Sequence, residues 1–262
     1  MKQNIENLSI IFTVRVDSQE RLNNILATLA FYDKYTDCPL ILLEADTESR
    51  LSTILEQRFP ALKYVFIFDD NPIFHRTHYI NEEFKIVETQ NAAVIDSDVV
   101  VPIEQLKEAN KKLTDKDNVM VYPYDGRFVG HDAYFSDKFR ETIDPEIFDT
   151  VDGNQYLMFG FISVGGAFLK NVNRYRRFGW ENEYFPGWGP EDFEREHRLD
   201  ILGHKPQRID GKIHHLHHPR GINSSNLHEP LILATKREYC KVCSMLPDEL
   251  KTYVSSWPWI DH

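Results

Sequence analysis

Apolar positions along the first hundred residues alternate between unbroken runs and helically spaced stripes. Leu8 to Val16 (LSIIFTVRV) is a nearly continuous apolar run, the pattern of a strand buried on both faces. From Ser18 to Tyr32 the residues Leu22, Ile25, Leu26 and Leu29 recur at helical spacing, so a helix follows, with Ser18 placed to cap it. The alternation continues with a strand at Leu40-Ile41-Leu42-Leu43, a helix over Glu48 to Phe59, a strand at Tyr64 to Phe68 and another at Ala92 to Ile95. Strands separated by helices predict an α/β fold with a mostly parallel central sheet flanked by helices. Ligands of such sheets gather at the carboxyl ends of the strands. Arg15, Glu44, Asp46 and Asp96 to Asp98 fall at such ends.

After Val101-Pro102 the pattern loosens. Val119-Met120-Val121 reads as a strand, Phe161 to Val164 as another running into Gly165-Gly166, and Pro190 to Leu202 as a helix with proline in its first turn and Gly203 past its end. Pro230 to Met245 and Pro247 to Trp257 predict two further helices, expected to pack on the core together with the apolar tail Trp257-Pro258-Trp259-Ile260. No repeat, low-complexity tract or linker interrupts the 262 residues, a length that suits one domain.

Charge and composition narrow the function. A formal net charge of -11 and a pI near 5.5, with Lys and Arg scattered, argue against a nucleic-acid partner. No stretch approaches the roughly twenty apolar residues of a membrane span, and Met1 to Asn7 lacks the apolar core of a signal peptide, so a soluble, cytoplasmic protein is expected. Cys38, Cys240 and Cys243 are too few and too uneven for a disulfide framework, and Cys240-x-x-Cys243 has no second pair to complete a zinc site.

Four clusters carry the candidate chemistry. Asp96-Ser97-Asp98 puts two carboxylates on a turn at the end of a buried strand, hard oxygen ligands suited to Mn²⁺ or Mg²⁺ bridging a diphosphate. A chance Asp-x-Asp is expected about once in such a length; Asp115-Lys116-Asp117, in a polar stretch, reads as that surface turn. Among His214, His215, His217 and His218, an extended backbone would project His215 and His217 to one side and turn His214 and His218 elsewhere. A histidine-rich polar loop is the alternative, and His75-x-x-His78 reads as structural. Gly187-Trp188-Gly189-Pro190-Glu191-Asp192 joins a glycine hinge, an aromatic plate and two carboxylates at a helix start; it is either a mobile lid with a base or an acidic pair complementing the helix dipole. Gly165-Gly166 is either a bulge or a gap where a ligand meets the main chain.

In order and spacing these clusters resemble the β-1,4-galactosyltransferases, inverting glycosyltransferases of the GT-A nucleotide-sugar-binding fold, from near the N-terminus to about Arg220. Thr13-Val14-Arg15 is similar to that family's proline-phenylalanine-arginine strand end, and Phe74-His75-Arg76 with Asn81 to its phenylalanine-asparagine-arginine helix start. Asp96-Ser97-Asp98 with Pro102 resembles the metal turn, Gly165-Gly166 the acceptor-side glycine pair, and Trp188 to Asp192 the tryptophan-glycine-glycine-glutamate-aspartate element. His215-Leu216-His217 with Pro219 resembles the closing histidine-leucine-histidine of the xylose-directed branch.

The resemblance fades beyond about residue 225; the whole chain reads as one GT-A domain over residues 1–262, in which the helices of 227–262 are a C-terminal extension that packs on the core or docks to a partner or membrane surface. The resemblance also implies roles. Asp98, His215 and His217 would hold Mn²⁺ or Mg²⁺; Asp96 would contact the sugar nucleotide, with Gly165 and Gly166 beside it; Arg15 and Arg76 would serve uridine diphosphate. Trp188 would sit on the lid, Glu191 would orient sugar hydroxyls and Asp192 would be the general base. The donor would be UDP-galactose or, because Ser163 stands where galactose-specific members carry a tyrosine, UDP-GalNAc. The acceptor would be a saccharide or glycolipid, as in bacterial surface polysaccharide synthesis, met by loops between Tyr122 and Tyr156. The rival classes are a metal-dependent hydrolase using the same Asp and His ligands and a non-catalytic sugar-nucleotide-binding domain; the first does not need the tryptophan hinge, and the second does not need Asp192.

Overall fold

A computed structural model of the protein describes residues 2–149, 155–159, 162–221, 223 and 229–260. Its first half runs β1 (Leu8–Val14), α1 (Gln19–Tyr35), β2 (Leu40–Asp46), α2 (Ser52–Arg58), β3 (Lys63–Phe68), α3 (Arg76–Ile86), β4 (Asn91–Ile95), β5 (Val99–Val100) and α4 (Ile103–Lys112). There follow β6 (Met120–Tyr122), β7 (Arg127–His131), α5 (Ala133–Thr142), a 3₁₀ turn at Pro145–Asp149, β8 (Gln155–Leu157), β9 (Ala167–Asn171) and α6 (Val172–Arg176). The chain closes with α7 (Glu191–Ile201), β10 (Gln207–Arg208), β11 (Lys212–His215), α8 (Glu229–Cys243) and α9 (Pro247–Ser255).

The apolar runs predicted from sequence form the main sheet, ordered β10-β6-β9-β4-β1-β2-β3. The pairings β1–β2, β1–β4, β2–β3 and β6–β10 are parallel, as helical crossovers require. The sheet is nevertheless mixed, because β9 runs antiparallel to both β4 and β6. Between β6 and β9 the chain does not cross over through one helix; it passes through a smaller sheet, ordered β5-β11-β7-β8, and returns in the opposite direction. The antiparallel entry of β9 sets Gly165-Gly166 beside the end of β4, where Asp96 N–H donates to the Gly166 carbonyl at 2.9 Å.

Ser18 caps α1 as predicted, its Oγ accepting Arg21 N–H at 3.2 Å. The helix expected over Glu48 to Phe59 starts only at Ser52: the buried Glu44 carboxylate accepts the amides of Arg50 and Leu51 at 3.0 and 3.3 Å and holds the preceding residues in a turn. Glu44 thus serves the fold. The strand expected from Phe161 to Val164 is not formed by Ile162 to Val164, and Phe161 lies outside the described residues; the strand begins after the glycines. Ser163 N–H instead donates to the Gly126 carbonyl at 3.0 Å, which ties this stretch to the turn before β7.

Phe12, Leu42, Val94, Phe168 and Leu169 from the strands and Leu29, Phe31 and Tyr32 from α1 fill the core. A smaller cluster of Val242, Leu250, Val254 and Trp257 packs α8 and α9 against Ile201 and Leu202 at the end of α7. No described helix is long and apolar enough to cross a membrane.

One buried carboxyl has no role in this packing. Glu83 on α3 is fully buried, and neither of its oxygens finds a hydrogen-bond partner of good geometry. Burial holds it well above the usual carboxylate range, only partly offset by the main chain at Leu43 and Phe12 and by Arg76. The folded chain therefore keeps this proton after the unfolded chain has lost it. The sign follows: ionisation contributes nothing below about pH 4 and destabilises by about 1.4 kcal/mol per pH unit above it, up to the folded-state value. Glu83→Gln is expected to raise the melting temperature at pH 7 and leave it unchanged at pH 4. A lower melting temperature at pH 7 would mean that the carboxylate has a partner.

Candidate active site

The carboxyl ends of β1 and β4 open into a cleft of about 890 Å³. Its first corner is built by strand pairing: β11 lies antiparallel to β5 with His215 opposite Val99, which places His215 next to Asp98. The strand then stops, because Leu216 N–H donates to the Asp98 carbonyl at 2.8 Å and the chain turns. Two-residue alternation consequently does not carry on to His217. His218 swings back instead, its Nε2 3.0 Å from Asp98 Oδ2, while His215 Nε2 lies 3.7 Å from Oδ1. His217 lines the cleft but is exposed, and what holds it is main chain: its N–H donates to Ser136 Oγ and its carbonyl accepts from Asn24 and Arg140. The cluster is therefore Asp98, His215 and His218, where the sequence pointed to His217. His214 does point away, stacked on Phe148 and bonded to His131 at 3.0 Å.

The donor set suits a divalent cation. The three ligand atoms lie within 4.8 Å of one another. His218 Nδ1 sits 2.8 Å from the Pro219 carbonyl, which only accepts, so Nδ1 carries a proton and Nε2 is the nitrogen that faces Asp98. Between Nε2 and the carboxylate oxygen 3.0 Å away there must be either a proton or a cation. Burial alone would raise the Asp98 carboxyl, but His215, His218 and Arg21 outweigh it and hold Asp98 well below the usual range. One carboxylate and two imidazoles fit Mn²⁺ better than Mg²⁺, which prefers oxygen throughout.

On the next wall Arg76, the first residue of α3, donates to Asp96 Oδ1 at 2.5 Å and lies 3.9 Å from Asp192 Oδ1. Arg15 also lines the cleft, though its guanidinium is engaged by Ala45 O, Asn71 O and Asp69 at 2.9, 2.6 and 2.5 Å. It stands 5.4 Å from the Phe74 ring and fixes the loop between β3 and α3 as a wall.

Trp188, Gly189, Pro190 and Asp192 of the glycine-flanked segment line the cleft. Trp188 is 40% exposed at the cleft, and Gly187 has φ +78°, a conformation that favours glycine. Asp192 lines the cleft at the start of α7. Glu191 does not: it is buried, and its Oε2 accepts Gly189 N–H at 3.0 Å. Sitting at the first position of α7, it turns back to the Gly189 amide and ties down the loop ahead of the helix, away from the cleft where sugar hydroxyls were expected to meet it. Burial and the charge of Asp192 push it up to about 8.

A Cβ on Gly165 would come 2.5 Å from Asp192 Oδ2, and one on Gly166 would meet the Phe128 ring at 2.8 Å. The glycine pair thus makes room for protein groups at the cleft floor. Three contributors were not named from sequence, although Phe128 and Tyr156 fall within the Tyr122 to Tyr156 stretch expected to meet an acceptor. Arg195, one turn after Asp192, binds its carboxylate at 2.7 Å. Phe128, Tyr156 and Phe159 supply an aromatic side to the cleft. Ile232, Thr235, Lys236 and Tyr239 form a helical stripe of α8 that lines it too, so the C-terminal segment is part of the site. Only the last had a legible signal, its i, i+3, i+4, i+7 spacing.

No family model and no curated protein matches this sequence. Solved structures match the fold. GalNAc-T7 with UDP, GalNAc and Mn²⁺ aligns with a TM-score of 0.62 at 13% identity, over 97% of this chain and 52% of that one. Glucosyl-3-phosphoglycerate synthase from Mycobacterium tuberculosis, in complex with Mn²⁺, UDP-glucose and phosphoglyceric acid, gives 0.55 at 14% identity over 89% and 79%. The catalytic domain of Drosophila β1,4-galactosyltransferase 7 with xylobiose gives 0.53 at 16% identity over 92% and 82%. The fold is that of the GT-A glycosyltransferases. It is shared across several of their branches, and the chain spans about half the length of the GalNAc-T7 structure.

Proposed function

We propose that this protein is an inverting, metal-dependent glycosyltransferase that moves galactose or N-acetylgalactosamine from a UDP-sugar to a hydroxyl of a saccharide or glycolipid, in bacterial surface polysaccharide or glycolipid synthesis on the cytoplasmic side of the membrane. The observation that carries the reading is that one cleft is lined by the Asp98–His215–His218 donor set, by the Asp96–Arg76 pair and by the Asp192 carboxylate, with Trp188 at its mouth. A GT-A fold with that inventory suits nucleotide-sugar transfer. The fold neighbours bound to Mn²⁺ and UDP or UDP-glucose support the cofactor and the donor class.

In this reading Asp98, His215 and His218 would hold Mn²⁺, which would supply positive charge for a diphosphate leaving group. Arg76 keeps Asp96 in place beside the donor. Trp188 covers the sugar when its glycine-flanked loop closes, with Glu191 fastening that loop through Gly189. Asp192 Oδ2 takes the acceptor hydroxyl's proton as the oxygen attacks the anomeric carbon from the face opposite the diphosphate, and configuration inverts. A carboxylate is basic enough for this because proton loss and attack are concerted. Ser163, small and at the cleft beside Gly165, leaves room for an N-acetyl group, which keeps both donors in the proposal.

A thermal-shift panel of UDP-galactose, UDP-GalNAc, UDP-glucose, UDP-GlcNAc and UDP with and without Mn²⁺ tests it, since a ligand selective for the folded state raises the melting temperature. The expected result is a Mn²⁺-dependent rise with UDP and its galactose-type sugars. Absence of any shift across the panel would count against the proposal.

A further inference from the structure

We infer that Arg195 is a positioning residue that fixes which oxygen of Asp192 faces the reacting hydroxyl, an inference that rests on Asp192 being the base. Arg195 is completely buried and belongs to α7, one turn beyond Asp192. Its Nη1 donates to Asp192 Oδ1 at 2.7 Å. Its other edge grips Glu181, with Nε and Nη2 donating to Oε2 at 2.9 and 2.7 Å. The guanidinium lies 3.9 Å from the centroid of the Phe168 ring, so the group is held on both edges and on a face.

Glu181 is itself fixed. Its Oε1 accepts from the buried Lys170 ammonium of β9 and from the Tyr175 hydroxyl at 3.1 Å, and its N–H donates to Asn81 Oδ1 of α3 at 2.9 Å. The chain of contacts therefore ties the Asp192 carboxylate to the central sheet and to α3. A planar fork satisfied on two edges cannot shift one partner without losing the other.

The geometry then singles out one oxygen. Oδ1 is taken by Arg195, with Arg76 3.9 Å away on the same atom. Oδ2 is left over Gly165, in the space that a Cβ there would occupy. An aspartate in the first turn of a helix would otherwise sample rotamers that cap the free amides. Arg195 removes that freedom before substrate arrives, and Gly165 leaves the gap that the chosen rotamer needs.

Arg195→Lys is the test, because a single ammonium keeps the buried charge but serves Glu181 or Asp192, not both. Turnover per UDP-binding site is expected to fall roughly 100-fold, the effect of a misplacement of about 1 Å, while donor KM and the UDP thermal shift stay at wild-type values. A crystal structure of the variant is expected to show the Asp192 carboxylate displaced from Gly165. Gly165→Ala gives the same test with the buried network intact: its backbone is not in the left-handed region, and the new methyl alone would push Oδ2 aside. Asp192 found unmoved in Arg195→Lys, or wild-type turnover per binding site in both variants, would overturn the inference. If the wild-type protein transfers no sugar, the proposed function falls separately, and the position of Asp192 in the variant crystal still decides whether Arg195 orients it.

Discussion

Asp192→Asn is expected to abolish sugar transfer while leaving Mn²⁺-dependent UDP binding intact. The substitution keeps the shape and leaves an amide oxygen to accept from Arg195 Nη1, so the buried chain to Glu181 and Lys170 is preserved. What it removes is the acceptor for the hydroxyl proton at the Oδ2 position over Gly165. Loss of a general base typically costs about 10²–10⁴-fold in rate. Transfer measured beside UDP binding separates the two effects, since the proposed function assigns binding to the metal corner and Arg76 and transfer to the carboxylate. Undiminished turnover would remove Asp192 from the role of base.

The second large effect belongs to the metal corner, and it separates two neighbouring histidines. Asp98→Asn and His218→Ala are expected to weaken Mn²⁺-dependent UDP binding by at least the roughly 10–100-fold that loss of even an outer-shell partner costs. His217→Ala is expected to leave it near wild type, since the ties of that residue to Ser136, Asn24 and Arg140 run through its main chain and survive the substitution. Calorimetric titration of UDP at fixed Mn²⁺ reads both. A large loss in His217→Ala with none in His218→Ala would restore the alternating histidine pair.

The contrast shows where sequence was sufficient. Runs such as Leu8 to Val14 and Leu40 to Leu43 are buried on both faces and could only be central strands, and Ser18 announced its helix through a cap visible in one residue. Asp96 and Asp98 were legible because a buried strand leads straight into them. The surface turn at Asp115 to Asp117 is as exposed as its polar setting suggested. What sequence did not carry depended on distant partners. β9 reverses direction because the chain detours through a second sheet, which no local periodicity records. His217 was favoured over His218 by a period of two that ends where Leu216 pairs with Asp98. Glu191 looked like a ligand group beside Asp192 until the unpaired amide of Gly189 claimed it. Arg195 had no signal, since its partners Glu181 and Lys170 come from other elements.

The measurement that bears most directly on the central claim is proton and phosphorus NMR of UDP-galactose and UDP-GalNAc incubated with the protein, Mn²⁺ and a pool of saccharide acceptors. Inverting transfer predicts UDP as the nucleotide product and a new sugar in β configuration, both absent with Asp192→Asn. UMP with sugar 1-phosphate would show a metal-dependent hydrolase, and an α-configured product would contradict attack from the face opposite the diphosphate.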